Sequence, residues 1–242
     1  MRFLNILILV ALVLFYSTDI DKNSILFIIS SIFLILFANF QNDYFDREID
    51  INKGKKRIVL HPSLIFSILL ISLITSMFIN FVVFLLFVVM AILIYFYNSF
   101  SSKKPYGFII TSLVISIGVL SLGFAFGFKF ELFLLILFSF FFNLEREIVK
   151  SYLDYSYDFG YRRTIAIFLG KQRTIFLAKL IAIFLVLLLV VSSIVVSKKE
   201  FIAYSIVSSI LIFMYIFAFL NEWLFSKLLK LLMFLGYLSL LI

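Results

Sequence analysis

Two stretches of this chain carry residues whose types and spacing can do chemistry. The first is QNDYFDREIDINKGKKR, residues 41–57, with four acids inside eight residues (Asp43, Asp46, Glu48 and Asp50) followed at once by basic residues. Asn39, Asn42, Asp43, Asp46 and Asp50 recur at steps of three or four. A helix continuing past Gln41 would line them up as one stripe. Like charges at that spacing repel, so a helix that keeps them expects a cation nearby. Carboxylate and amide oxygens without His or Cys suit a hard ion, Mg2+ above all. Mg2+ keeps waters and is shared with substrate phosphates, so the stripe predicts a phosphorylated ligand.

The second stretch is EREIVKSYLDYSYD, in which Arg146, Lys150, Asp154 and Asp158 follow at steps of four. They share one helical face, basic towards the membrane and acidic beyond it. Cations beside two carboxylates could hold a diphosphate together with its metal. The loop after it, FGYRRTIAIFLGKQR, adds Arg162, Arg163, Lys171 and Arg173. A charged loop is by default a solvated face or a topology signal. Two acidic clusters on the same side of one bundle, each ending an apolar helix, outweigh that default.

The elements that must position these residues are membrane helices. Of 242 residues, 64% are hydrophobic, with 34 Phe and only 8 Gly, and mean hydropathy is +1.21. A soluble domain holds about 45–50% apolar residues, so the chain reads as an integral membrane protein. The absence of Cys excludes disulfides and thiolate metal sites, and the lone His61 excludes a His cluster. The net charge of +8 reports topology rather than nucleic-acid binding. The N-terminal apolar run has no small-residue cleavage site and reads as a span rather than a leader.

Apolar runs long enough to cross a bilayer fall at 3–17, 24–41, 62–78, 80–98, 107–127, 130–147, 174–196, 201–220 and 224–242. Residues 62–102 hold no Asp, Glu, Lys or Arg and are too long for one span, so the break is set near Asn80. The runs do not alternate with period two, which excludes a β-barrel. The expected fold is an all-α integral membrane protein, a bundle of nine transmembrane helices in a single domain over 1–242. Of the 21 Lys and Arg residues, all but Lys22, Lys129, Lys198 and Lys199 then fall on one side. By the positive-inside rule that side is cytoplasmic and holds the N-terminus and both charged loops, in a multi-pass protein of the cell membrane.

The motifs are specific enough to carry a resemblance. NDYFDREID (Asn42–Asp50) resembles the NDxxDxxxD signature of the UbiA-type intramembrane prenyltransferases, and DYSYD (Asp154–Asp158) resembles their second, DxxxD motif. Ala38-Asn39 resembles the small-Asn pair before the first motif, and IDINK its continuation. RFLN (Arg2–Asn5) is similar to the Arg-x-x-Asn of the first helix. REIVK followed by DxxxD is similar to the digeranylgeranylglyceryl phosphate synthase branch. The resemblance runs the length of the chain.

It implies nine helices around a central cavity capped by cytoplasmic loops, and transfer of a prenyl group from a prenyl diphosphate to a lipid-like acceptor in the bilayer. In this branch the donor is geranylgeranyl diphosphate and the acceptor geranylgeranylglyceryl phosphate, giving an archaeal ether-lipid precursor. Catalysis would rest on Asp46, Asp50, Asp154 and Asp158. Asn42, Asp46 and Asp50, with Asp43 nearby, would bind one Mg2+, and Asp154 and Asp158 a second. Arg146, Lys150 and a loop base, Lys103 or Lys104, would contact phosphate. Asn39, Asn5, Arg57 and Tyr97 match further substrate-binding positions.

The chain also departs from the pattern. Ser151 stands where the branch has Asp, and Tyr157 where it has Gly. The Arg-Pro after the first motif is missing, leaving Lys56 or Arg57, and Ile110-Thr111 replace Gly-Asn. An aromatic or quinone-precursor acceptor therefore stays open. A membrane transporter is the alternative from another class, against which stand the absence of mid-span charge and of an internal repeat.

Overall fold

The structure is a computed structural model that describes residues 6, 9–10, 12–14, 16–17, 20–52 and 58–196. Among the described residues every regular element is helical: α1 (Lys22–Phe45), α2 (Arg47–Asn52), α3 (Pro62–Met77), α4 (Phe81–Ser99), α5 (Gly107–Phe126), α6 (Phe130–Leu153), α7 (Tyr155–Asp158), α8 (Ile165–Leu169) and α9 (Lys171–Val196), with a 3-10 turn at Ser101–Lys103. Lys22–Phe45, Phe81–Ser99, Gly107–Phe126 and Lys171–Ser192 are long and apolar enough to cross a membrane, and Pro62–Met77 is a shorter apolar helix. The expected spans 201–220 and 224–242, residues 3–5, 7, 8, 11 and 15 of the expected span 3–17, and the site candidates Asn5 and Arg57 lie outside the described residues.

The sequence explains why these helices start and stop where they do. His61 caps α3, its ring nitrogen accepting the Ser63 N–H, with Pro62 in the first turn, where no N–H is needed. The break expected near Asn80 is there. Phe78 and Ile79 form a turn, and the Asn80 side chain accepts the Val83 N–H at 2.8 Å to start α4. On α4, Val83, Phe87, Met90, Ala91, Ile94 and Asn98 are buried, while Phe81, Leu85, Val89 and Ile92 on the other side are exposed. Both faces are apolar, which suits a helix with protein on one side and lipid on the other.

The chain divides into two compact units, Met1–Ser102 with Ile117–Phe128, and Lys103–Ser116 with Lys129–Ile242. In the first, α1 packs on α3 and α4. Hydroxyls tie α1 to α3: Ser72 donates to the Ser30 carbonyl at 2.7 Å and Ser30 to Thr75 at 2.8 Å. Such bonds act between helices that have no hydrophobic driving force in lipid. Phe27 meets Phe87 edge-on at 5.9 Å. In the second unit α6 packs on α9, and the short α7 and α8 gather at its charged end. The α6 residues Leu132, Leu135, Phe138, Phe142, Glu145 and Val149 form one buried face at helical spacing.

Candidate active site

α1 runs on past its apolar span, so the first acidic stripe is helical as expected. The run is interrupted at a single residue, Asp46, with φ −95° and ψ 8°. This sparsely populated bridge conformation recurs at active sites. The hydrogen-bond ladder survives the interruption. Asp46 N–H donates to the Asn42 carbonyl at 2.9 Å, and Asp50 N–H donates to the Asp46 carbonyl at 2.8 Å. Asn42, Asp46 and Asp50 thus follow one another at successive turns. Asp43 is 1% exposed, and Asp46 and Asp50 are 9% exposed each. Asn39 and Asn42 are half-buried on α1.

This helix end is pinned in part by a bond that local spacing did not reveal. Asn98, in the last turn of α4, donates to Gln41 Oε1 at 2.8 Å, and both side chains are buried. Gln41 directly precedes the motif. A lone amide closing an otherwise apolar span was the available signal. Tyr97 lies beside Asn98, half-buried.

The second motif repeats the architecture. α6 ends at Asp154, with φ −83° and ψ 3°. α7 follows and ends on Asp158, which is 2% exposed. Asp154 N–H donates to the Lys150 carbonyl and Asp158 N–H to the Asp154 carbonyl, both at 2.9 Å. Lys150, Asp154 and Asp158 therefore stack as Asn42, Asp46 and Asp50 do. Gly160, at φ +85°, takes the left-handed turn that ends the segment, a conformation that strains any residue with a Cβ. Three residues on, Arg163 N–H donates to the Lys103 carbonyl at 3.0 Å. The connection bearing exposed Lys103 and half-buried Lys104 is thereby fixed to the loop behind the second motif.

The cations of α6 are organised around Glu147, to which the sequence reading gave no role although its i,i+3 spacing from Lys150 is an ion-pair signal. Arg146 Nη1 lies 3.0 Å from Glu147 Oε1, and Lys150 Nζ lies 3.7 Å from Glu147 Oε2. Arg146 Nη1 also donates to Asn143 Oδ1 at 3.2 Å, and buried Asn143 donates to Ser112 Oγ at 3.4 Å. Ser151, at the position of the missing acid, has structural work. Its Oγ accepts the Ala166 N–H at 3.1 Å and so caps α8 from outside, where Thr164 makes no side-chain cap bond. Lys171 Nζ sits over the rings of Tyr152 and Tyr155, at 5.6 and 5.4 Å, on either side of Asp154 in the chain.

The donor set fits Mg2+. Among the described residues no three acidic side chains converge on one metal position. Mg2+ does not ask for that, since it is held by one or two carboxylates plus waters and substrate phosphates. Each motif offers such a pair, Asp46 with Asp50 and Asp154 with Asp158.

Comparison with known proteins agrees with this architecture. The UbiA prenyltransferase family model matches residues 4–238. No curated protein matches the sequence significantly. Among solved structures, digeranylgeranylglyceryl phosphate synthase is similar with TM-score 0.76 at 25% identity, over 95% of this chain and 89% of that one. An apo UbiA homologue from Aeropyrum pernix K1 superposes with TM-score 0.75 at 13% identity, over 99% and 94% of the two chains. A UbiA homologue from Archaeoglobus fulgidus, bound to GPP and Mg2+, gives 0.70 at 17% identity, over 100% and 99%. The latter two likenesses speak for the fold alone. A family match from residue 4 to residue 238 encloses both aspartate motifs, and the chain belongs to the UbiA prenyltransferase family.

Proposed function

We propose that this prenyltransferase is Mg2+-dependent and moves a geranylgeranyl group from geranylgeranyl diphosphate to geranylgeranylglyceryl phosphate, giving the digeranylgeranylglyceryl phosphate precursor of ether lipids. The observation that carries the reading is the repeated hinge: each motif breaks a long helix at one aspartate and sets a second aspartate one turn on. The REIVK–DxxxD pattern and the 25% identity to digeranylgeranylglyceryl phosphate synthase support the acceptor. The Archaeoglobus fulgidus homologues bound to GPP or DMAPP with Mg2+ support donor class and metal.

In this reading Asn42, Asp46 and Asp50, with Asp43, would hold one Mg2+, and Asp154 and Asp158 another. The ions would supply charge neutralisation for the departing diphosphate. The chain's own residues do the rest. Arg146, Lys150 and Lys103 or Lys104 fix the phosphates, with Asn39, Tyr97, Asn5 and Arg57 as further contacts. Phe and Tyr faces stabilise the allylic cation in a dry chamber. One domain over 1–242 supplies nine spanning helices around a central cavity. Its N-terminus and charged loops face the cytoplasm, and a lipid-like acceptor enters from the bilayer.

The test is a transfer assay in detergent with labelled geranylgeranyl diphosphate, offering geranylgeranylglyceryl phosphate or a panel of hydroxybenzoates and naphthoates, with Mg2+ or EDTA. Metal-dependent product on the glycerol phosphate supports the whole reading. Product only on an aromatic acceptor keeps the donor and replaces the acceptor, the outcome to which the departure at Ser151 points. No product from well-folded protein overturns it.

A further inference from the structure

We propose that Glu147 is a positioning residue for turnover, holding Arg146 and Lys150 as a fixed pair of cations before the second motif; this rests on the reading of those cations as diphosphate contacts. Each oxygen of the Glu147 carboxylate takes one of them, Arg146 at 3.0 Å and Lys150 at 3.7 Å. The carboxylate is largely buried, its side chain 10% exposed. Arg146 is held from a second direction by Asn143, itself fully buried and anchored on Ser112. The guanidinium has five N–H donors and the ammonium three, more than a single carboxylate oxygen can take from either, and the Lys150 contact at 3.7 Å is an ion pair rather than a hydrogen bond.

A carboxylate at this point has a cost. It cancels one of two positive charges and weakens the attraction for an anionic donor in the ground state. The compensation is orientation. Donors already fixed in place need no reorganisation when charge develops on the leaving group, and that is where electrostatic catalysis gains most. Glu147 should therefore act oppositely on binding and on turnover. A carboxylate that merely stabilised the helix end would lower both together with stability.

The experiment uses the full chain in detergent, and compares wild type with Glu147→Gln, Glu147→Asp, Lys150→Gln and Arg146→Gln. It reads kcat and KM for geranylgeranyl diphosphate at saturating Mg2+, the affinity for inorganic pyrophosphate with Mg2+ by calorimetry, and Tm. Glu147→Gln should lose about tenfold in kcat while binding pyrophosphate at least as tightly as wild type. A kcat within about twofold of wild type overturns the proposal, as does a joint fall of kcat, pyrophosphate affinity and Tm. If Glu147→Gln does not fold, Glu147→Asp decides, because it keeps the charge but is too short to span both cations. Reduced kcat with unchanged pyrophosphate affinity supports the proposal, and full kcat ends it. If wild type transfers no prenyl group, the proposed function fails by itself and pyrophosphate binding still decides the arrangement. Weaker binding in Lys150→Gln and Arg146→Gln but not in Glu147→Gln supports the opposed roles. Equal effects in all three overturn them.

Discussion

The two aspartate motifs share a backbone design and differ in what surrounds it. Each closes a helix of 24 residues, about 36 Å at 1.5 Å per residue and so long enough for a bilayer core. Each closes it on an aspartate in the bridge conformation and presents a second aspartate one turn later. The first motif then buries its acids, Asp43, Asp46 and Asp50, and fixes its helix end through the neutral amides Gln41 and Asn98. The second precedes its acids with Arg146, Glu147 and Lys150, and its position equivalent to Asp43 is Ser151, which caps α8 instead. On the proposed reading the first motif would serve as a metal holder, and the second would add the cations Arg146 and Lys150 to a smaller acidic set. Equal backbones with unequal dressing would then suit a diphosphate, which needs both cation types.

If the hinge aspartates are equivalent, removing either should be the most damaging change available. Asp46→Ala and Asp154→Ala should each lower kcat/KM by about 10³-fold or more, on the scale of losing a principal electrostatic contact to the transition state. Steady-state kinetics with a thermal melt would check this. Loss in one variant with near-normal rates in the other would break the equivalence.

Much of this comparison was legible in the sequence. The spacing of Asn42, Asp43, Asp46 and Asp50 suited a shared face if the helix ran on past Gln41, as did the four-residue steps through Arg146, Lys150, Asp154 and Asp158, and both stretches are helical apart from one residue each. The helix ends at Pro62 and Asn80 followed from a charge-free run too long for one span. The single-residue breaks at Asp46 and Asp154 were not legible, because no Gly or Pro marks them and a continuous ladder of i,i+4 residues conceals the interruption. The Gln41–Asn98 bond spans 57 residues, a separation that local spacing cannot report. Ser151 looked like a lost ligand, since its partner Ala166 is brought near only by the turn at Gly160 and the start of α8.

Asn98 tests whether the first motif depends on its pin. Asn98→Ala leaves Gln41 Oε1 buried without its donor, which should cost about 1–3 kcal/mol and appear as a lower Tm. Because Gln41 adjoins Asn42, the Mg2+ concentration for half-maximal activity should rise as well. A fall in Tm with unchanged metal dependence would reduce Asn98 to packing and remove one contrast between the motifs.

Ser151 sharpens the contrast from the other side. Ser151→Ala strips the acceptor from the buried Ala166 N–H, again about 1–3 kcal/mol of stability, with the Mg2+ requirement unaltered. Ser151→Asp keeps an acceptor and supplies the acid that the first motif has in Asp43. It should lower the half-saturating Mg2+ concentration several-fold if the second motif holds metal as the first does. An unchanged Mg2+ titration in a folded Ser151→Asp variant would show that the two motifs bind metal differently despite their common backbone.

The smallest effect belongs to Lys171. Its ammonium lies over Tyr152 and Tyr155, which bracket the second hinge. A cation over an aromatic face at an exposed position contributes about 0.5–1 kcal/mol, so Lys171→Met should lower Tm by only a few degrees. Lys171 sits at the start of α9, where the helix dipole disfavours a positive charge, and the methionine relieves that, so the two effects oppose each other in a melt. Rate separates the possibilities. If Lys171 steadies the Tyr152–Tyr155 hinge, Lys171→Met should lower kcat by about two- to fivefold, the kinetic equivalent of the lost contact, at unchanged KM for the donor. If Lys171 instead reaches the diphosphate, KM should rise and carry the whole effect. The first result would make the second hinge the looser of the two, held by rings and a cation where the first is held by buried amides.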